Sequence, residues 1–139
     1  FLHAGQEFFD TKHGNANSYN AGDSVNQFDW GRRDQHIESI HLIKALIKLR
    51  KENACFRYNN FDDMHEHIRI NNINHRMIEY ILTQDEGPYK EFRIYINPSF
   101  DIIGVDIDDD FEILHKGENE RIENRHLNVQ GISFAICAR

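Results

Sequence analysis

Met77-Ile78-Glu79-Tyr80-Ile81-Leu82, then Asp85-Glu86-Gly87-Pro88, then Phe92-Arg93-Ile94-Tyr95-Ile96 follow one another in the middle of the chain. The first and last runs are rich in β-branched and aromatic residues, and the group between them is a turn signal. In the second run Phe92, Ile94 and Ile96 alternate with Arg93 and Tyr95, the period-two signature of a strand. The same reading extends in both directions. Upstream, Ile68 and Ile70 alternate with His67 and Arg69. Downstream come Phe111 and Ile113, Leu127 and Val129, then Ile132, Phe134 and Ile136. Asn71-Asn72, Asn97-Pro98-Ser99, Asp108-Asp109-Asp110 and Lys116-Gly117-Glu118-Asn119 punctuate these runs. Short strands at a spacing of ~8–12 residues, bounded by turns, predict an antiparallel β-sandwich. No βαβ repeat follows residue 56.

Upstream of the sandwich the period changes. Ile37, Ile40, Ile43 and Ile47 recur near 3.6, widened by Leu42, Leu46 and Leu49, which predicts a helix over 35–52. Asp34 is the expected N-cap, and Lys48, Arg50 and Lys51 suit the negative C-terminal end. A stripe this wide implies packing on more than one side. Residues 10–34 are rich in Asn, Gly, Asp and Ser without apolar periodicity and read as a long loop. Loops longer than about 12–15 residues in compact domains are usually functional or flexible. Residues 1–9 read as the end of a strand already under way. The expectation is a piece of a longer protein, and no signal-peptide pattern is seen. The expected fold class is therefore mainly β with one N-terminal α-helix.

The chain has 139 residues, 40% hydrophobic and 28% charged, which is globular rather than disordered. Sixteen Lys and Arg face 23 Asp and Glu, a net −7 that disfavours a basic nucleic-acid face or a polybasic membrane patch. No apolar run reaches the ~18 residues a membrane helix needs. Cys55 and Cys137 cannot build a disulfide framework, and no Cys/His cluster has zinc spacing. Two reduced, partly buried thiols are the simplest reading. Neither composition nor cysteine content separates cytoplasm from exterior, though the cytoplasm is slightly favoured.

Few residues carry recognisable chemistry. The run Asp106-Ile107-Asp108-Asp109-Asp110 lacks the Gly and distal Glu of an EF-hand loop and reads as a solvated hairpin turn. His65 and His67 would share one face of a strand, but a metal needs a third ligand and none has a recognisable spacing. Glu7 is a single carboxylate, whereas glycoside hydrolysis takes a pair. No nucleophile elbow, phosphate-binding glycine loop or Cys/His dyad is present. No cofactor or metal is expected. The informative stretch is Gly14 to Arg33, which gathers amide, carboxylate and hydroxyl groups with Tyr19, Phe28 and Trp30. Planar amides and carboxylates pair with vicinal hydroxyls, and aromatic faces stack on a pyranose, so this is the chemistry of a sugar site. Asn-rich loops also arise from turn chemistry alone.

Phe1-Leu2-His3-Ala4-Gly5-Gln6-Glu7-Phe8-Phe9, Thr11-Lys12, Asn17-Ser18-Tyr19-Asn20, Gly22-Asp23-Ser24-Val25-Asn26 and Asp29-Trp30 together resemble the type I pullulanases. These are debranching members of the α-amylase family, glycoside hydrolase family 13. The specific motifs cover residues 1–34, and only the general pattern continues beyond. The resemblance implies that 1–54 is the end of a (β/α)8 catalytic barrel: strand 1–9, substrate-side loop 10–34 and helix 35–52. Residues 55–139 would be the C-terminal β-sandwich domain. The family's three catalytic carboxylates come from strands four, five and seven, which precede this segment. No catalytic residue is therefore expected here, and no activity from this chain alone. Asp23 matches an aspartate that contributes to glucose subsites. Some relatives carry an arginine where this chain has Gln27, a departure that removes a charged clamp. Asn17, Tyr19 and Asn26 also match, either as sugar contacts or as shapers of the loop.

Two readings follow. In one, the chain belongs to a retaining hydrolase of α-1,6-glucosidic bonds in pullulan, glycogen or branched dextrins, with the rest of the catalytic barrel as its partner. In the other it is a non-catalytic carbohydrate-binding or structural sandwich. A binding module should present aromatics on one sandwich face, and Tyr58, Tyr80, Tyr89 and Tyr95 are the candidates. Neither reading involves nucleic acid or a membrane.

Overall fold

The computed structural model describes residues 1–117 and 121–139, and the chain divides into two compact units, Phe1–Leu49 and Arg50–Arg139. Four helices and eight strands are present among the described residues.

In the first unit Gln6–Phe8 forms a single 3-10 turn, flanked by Gly5 and Phe9 in the left-handed region. The strand expected over 1–9 is not formed within this chain. An extended segment satisfies its amides and carbonyls only on neighbouring strands, and this unit contains none. Phe8 is instead buried against Phe28 and Trp30, with ring centres 6.0 and 6.1 Å away.

The expected loop contains two short helices, α1 (Asp23–Asn26) and α2 (Trp30–Gln35). The main helix, α3, runs Ile37–Glu52 rather than from residue 35. Asp34 is not the cap of α3, and the helix before it, α2, is capped by Asp29. Its carboxylate accepts from the amides of Gly31 and Arg32 at 2.9 and 3.3 Å. Asp34 lies within α2 and pairs with Arg33 at 3.4 Å. The wide stripe of α3 is only partly covered. Ile40 is buried, while Ile37 and Ile47 are exposed. Ile40, Ile43 and Ile47 face Leu2, His3, Ala4 and Glu7 across a hollow of about 290 Å³.

In the second unit a 3-10 turn at Ala54–Arg57 precedes α4 (Phe61–His67), where the sequence reading expected only strands. Asn60 caps it by accepting from the Asp63 amide at 2.8 Å. His65 and His67 are therefore on a helix, where residues two apart do not share a face. The strands are β1 (Ile68–Ile73), β2 (Met77–Thr83), β3 (Glu91–Asn97), β4 (Ile103–Asp106), β5 (Glu112–His115), β6 (Arg121–Glu123), β7 (His126–Val129) and β8 (Ser133–Ala138). They form two antiparallel sheets, of order β1-β2-β3-β8-β5 and β4-β7-β6. The expected sandwich is thus present, with β4 and β6 as additional strands. Asn71-Asn72 lies inside β1. The turn sits instead at Asn74-His75, both left-handed, so that Ile73 pairs with Met77. Asn124-Arg125, also left-handed, likewise sets the Glu123–His126 pairing. Of the turn expected at 116–119, Glu118 and Asn119 lie outside the described residues.

The core between the sheets joins Met77, Tyr95, Ala135 and Cys137 of the larger sheet to Ile103, Val105, Leu127 and Val129 of the smaller. β3 contributes Tyr95 to this core, not Phe92, Ile94 and Ile96. Those three project from the opposite face, where Phe92 is buried against Phe56 and Tyr89. Period two locates a strand, but it cannot say which face meets the second sheet when both are apolar. Burial pushes the Tyr95 phenol above its ordinary value. Cys55 and Cys137 are both buried free thiols, and burial raises Cys55 to about 11.

Candidate functional site

The segment between residues 10 and 34 folds back on itself through identifiable bonds. His13 and Gly14 are both left-handed, which reverses the chain after Lys12. The Asn15 side chain then accepts from the Asn17 amide at 3.0 Å. Asn26 Nδ2 donates to the Ser18 carbonyl at 2.7 Å and closes the lobe from 18 to 26. Arg32 Nε donates to the Phe9 carbonyl at 3.0 Å and closes its base.

This folding shapes an open hollow of about 340 Å³ lined by His13, Ser24, Gln27, Phe28, Asp29 and Trp30. That volume is at the small end of ligand sites. The lining offers an imidazole, a hydroxyl, an amide and a carboxylate beside two aromatic rings. Phe28 and Trp30 meet edge to face, with ring centres 5.6 Å apart, over the buried Phe8. Trp30 remains 62% exposed, so its ring is accessible to a ligand. Buried aromatic support with polar groups at the rim is suited to a sugar, which has an apolar face and a hydroxyl edge.

Of the five residues singled out from the sequence, Gln27 alone lines this hollow. Its amide N–H donates to the Asp23 carbonyl at 2.9 Å, which places it directly after α1. Asp23 is exposed at the start of α1, one residue before the lining Ser24. Asn17 and Tyr19 are exposed on the lobe, and Tyr19 is 89% accessible. Asn26 is half-buried, and its amide is engaged with Ser18. Ser24 and Asp29 belong to motifs quoted from the sequence but were not named as sugar contacts, and His13 lay outside those motifs. The only signal for His13 was the following glycine, which marks a chain reversal without saying what it faces.

Behind the hollow lies a charged pair. Lys12 Nζ donates to Asp10 Oδ2 at 2.9 Å, and the Asp10 side chain is 6% exposed. The lysine's hydrogen bond, its charge and the Asp29 backbone amide hold the Asp10 carboxyl below its ordinary value. Among the described residues no group of three or more His, Cys, Asp or Glu side chains could hold a metal ion. The acidic run at 106–110 is an ordinary turn. The Phe111 amide donates to the Asp108 carbonyl at 3.2 Å, and Arg125 pairs with Asp109.

No family model matches the chain. A pullulanase of Bacillus subtilis (strain 168) is 44% identical over 82 residues, which is 59% of this chain and 11% of that protein. The chain is similar to part of a pullulanase. The solved pullulanase of Anoxybacillus sp. LM18-11 superimposes with a TM-score of 0.89 at 29% identity, covering 100% of this chain and 20% of that one. The type I pullulanase of Bacillus subtilis str. 168, solved with maltose, gives 0.85 at 32% identity, covering 99% and 20%. The chain thus spans a tenth to a fifth of the pullulanases it matches. The pullulanase-like fold extends over its whole length, through the helical first unit and the antiparallel sheets of the second.

Proposed function

We propose that this chain is the part of a debranching glycoside hydrolase that completes its barrel and follows it. Residues 1–54 supply the last barrel strand, the substrate-side loop and the last helix, and 55–139 form the C-terminal sandwich. The enzyme cleaves α-1,6-glucosidic bonds in α-glucans such as pullulan, glycogen or branched dextrins. It does so with retention, by attack of one carboxylate on the anomeric carbon, a covalent glycosyl intermediate, and hydrolysis assisted by a second carboxyl. Those carboxylates lie outside this chain. Its own contribution is to hold glucose units, through the Gln27 amide, the Asp23 carboxylate and the Trp30 ring, with Asn17, Tyr19 and Asn26 on the adjoining lobe.

The observation that carries this reading is the 44% identity to a pullulanase over 82 residues. The polar-aromatic hollow beside Gln27 supports it independently. A free-standing carbohydrate-binding role is less well supported, because three of the four candidate sandwich tyrosines are engaged or buried. Tyr58 donates to the Thr83 carbonyl at 2.8 Å, Tyr89 donates to Glu112 at 2.9 Å, and Tyr95 is buried.

Two measurements test the reading. The purified chain should release no reducing sugar from pullulan above a buffer blank. Replacing the matching segment of the Bacillus subtilis pullulanase with this chain should leave an enzyme that debranches pullulan. A folded chimera without that activity would overturn the assignment.

A further inference from the structure

We propose that Lys12 is a positioning residue for the sugar-facing hollow: it holds the Asn26–Gln27 peptide and the Phe28 ring in place from behind. The hollow's relevance to glucan rests on the function proposed above, whereas the positioning does not.

Lys12 stands where three parts of the loop converge. Its Nζ is bound to Asp10 at 2.9 Å and reaches the Asn26 carbonyl at 3.5 Å. The same ammonium lies 5.7 Å from the centre of the Phe28 ring. The Asn26 carbonyl belongs to the peptide that carries the Gln27 amide, and Gln27 and Phe28 are adjacent walls of the hollow. The anchor at the other end is fixed by the backbone. The Asp10 amide donates to the Gly5 carbonyl at 2.9 Å. Gly5 has φ 88°, and a β-carbon there would lie 2.7 Å from Asp10 Cβ, so the approach requires glycine. A connected path therefore runs from the Gly5 turn through Asp10 and Lys12 to the hollow's wall. Lys12 itself is not among the lining residues, so it acts through Gln27 and Phe28.

A lysine beside a nearly buried carboxylate could instead do no more than neutralise it. A paired substitution separates the two roles. Lys12→Met strands the Asp10 charge, whereas Asp10→Asn with Lys12→Met removes both charges and leaves only the loss of the tether. Trp30, the single tryptophan, reports the wall directly by its emission and its accessibility to acrylamide. The variants to compare in the 139-residue chain are Lys12→Met, Lys12→Arg, Asp10→Asn and the double variant. Each is also titrated with maltotetraose.

Lys12→Met and the double variant should both shift Trp30 emission and increase its quenching. Affinity for maltotetraose should fall about fivefold in each, the equivalent of one ordinary hydrogen bond. Lys12→Arg should stay near the parent, because it keeps the charge and the reach. Recovery of the parental Trp30 signal in the double variant would overturn the proposal, since neutralisation would then be the whole role. An unaltered Trp30 signal in Lys12→Met would overturn it too, as would a shifted signal with unchanged affinity. If the parent chain does not bind maltotetraose, the glucan reading of the hollow fails, and Trp30 still decides whether Lys12 holds the wall.

Discussion

Arg93 and Arg139 converge on one ring and one carboxylate. Their guanidinium carbons lie 4.9 and 4.8 Å from the centre of the Phe111 ring. Arg93 Nε donates to Glu91 Oε1 at 2.8 Å, and Arg139 Nε donates to Glu91 Oε2 at 3.0 Å. The final residue of the chain is thereby tied to β3 and to the acidic turn, where Arg139 also meets Asp110 at 3.1 Å. Burial opposes ionisation of Glu91, but its hydrogen bonds from Arg93 and Arg139 outweigh burial and hold the carboxyl below its ordinary value.

The sign of the pH dependence follows. A carboxyl whose folded value is depressed contributes stability that is fully present above its unfolded value and is lost as pH falls through the folded one. Glu91→Gln should therefore cost about 1.5–3 kcal/mol at pH 7, the range for hydrogen bonds to charged groups. The gap from the parent should close as pH falls below about 4.3, where the unfolded glutamate protonates. Urea unfolding at pH 7 and pH 3 measures both. An equal gap at the two pH values would show that Glu91 does not act through its charge.

Asn97 should be among the most costly single truncations in the sandwich. It is buried, and its Nδ2 lies 2.8, 3.0 and 3.0 Å from the carbonyls of Asp101, Val129 and Gln130. Its Oδ1 accepts from both the amide and the hydroxyl of Ser99. One side chain thus joins the β3–β4 connection to the β7–β8 connection. Asn97→Ala leaves several backbone groups without their partner, and each such group costs about 1–3 kcal/mol when buried. The expected loss is about 3 kcal/mol, read as a lower denaturation midpoint without a change in slope. Asn97→Asp should also destabilise, because a carboxylate accepts where the amide must donate.

Two glycines should respond to alanine to different degrees. At Gly131 a β-carbon would meet the backbone of Phe100 at 2.6 Å, and backbone cannot step aside. At Gly104 it would run into the His126 ring, but that ring ends an exposed side chain that can swing out at the cost of its contact with Asp106. Gly131→Ala should cost about 1–3 kcal/mol, as overpacking does. Gly104→Ala should cost less than about 1 kcal/mol, chiefly the exposed His126–Asp106 contact. Thermal melts of the two variants decide the order. A reversed order would mean that the turn at Gly131 yields more easily than the ring.

What was legible in the sequence tracks where local chemistry is unambiguous. β1, β3, β5, β7 and β8 were found because apolar residues alternate between turn clusters, and β2 because its run is apolar and β-like. α4 was missed because Phe61 to His67 has no apolar stripe, and its main signal is the Asn60 cap. The start of α2 was missed because Gly31 follows Trp30 and obscures the cap at Asp29. Residues 1–9 carry a strand's composition, yet a strand is a property of a pair of edges, and sequence shows only one of them. The site divides in the same way. Gln27 was legible because it stands between two recognisable motifs, at a position where the resemblance implies an arginine. His13 and Asp29 reach the hollow only after a reversal at His13-Gly14, which sequence locates but cannot aim. Lys12 was visible as a letter and invisible as a tether, since its partners lie two residues before it and 14 residues after it.

Local stability should differ sharply between the loop and the sheets, and hydrogen exchange would measure it. The loop amides from Thr11 to Asp23 take part mostly in short turns, such as Asn15 to Lys12 and Ala21 to Ser18. Few of their side chains are buried, and ordering each residue costs about 1–2 kcal/mol with little apolar area to offset it. β3 and β8 lie inside the five-stranded sheet, each paired on both sides, and carry the buried Phe92, Tyr95, Ala135, Ile136 and Cys137. Such strands open only near the global unfolding limit. Amides of 92–96 and 134–137 should therefore persist longest, and those of 13–22 should exchange within seconds. Phe8 to Asp10 should fall between, because Phe8 is buried and the Phe9 and Asp10 amides bond to Gln6 and Gly5. Lys12→Met should speed exchange at Gln27 and Phe28 while leaving 92–96 untouched. Slow exchange across 13–22 in a dilute sample would show that the lobe is ordered by more than its turns, and that the tether at Lys12 is one support among several.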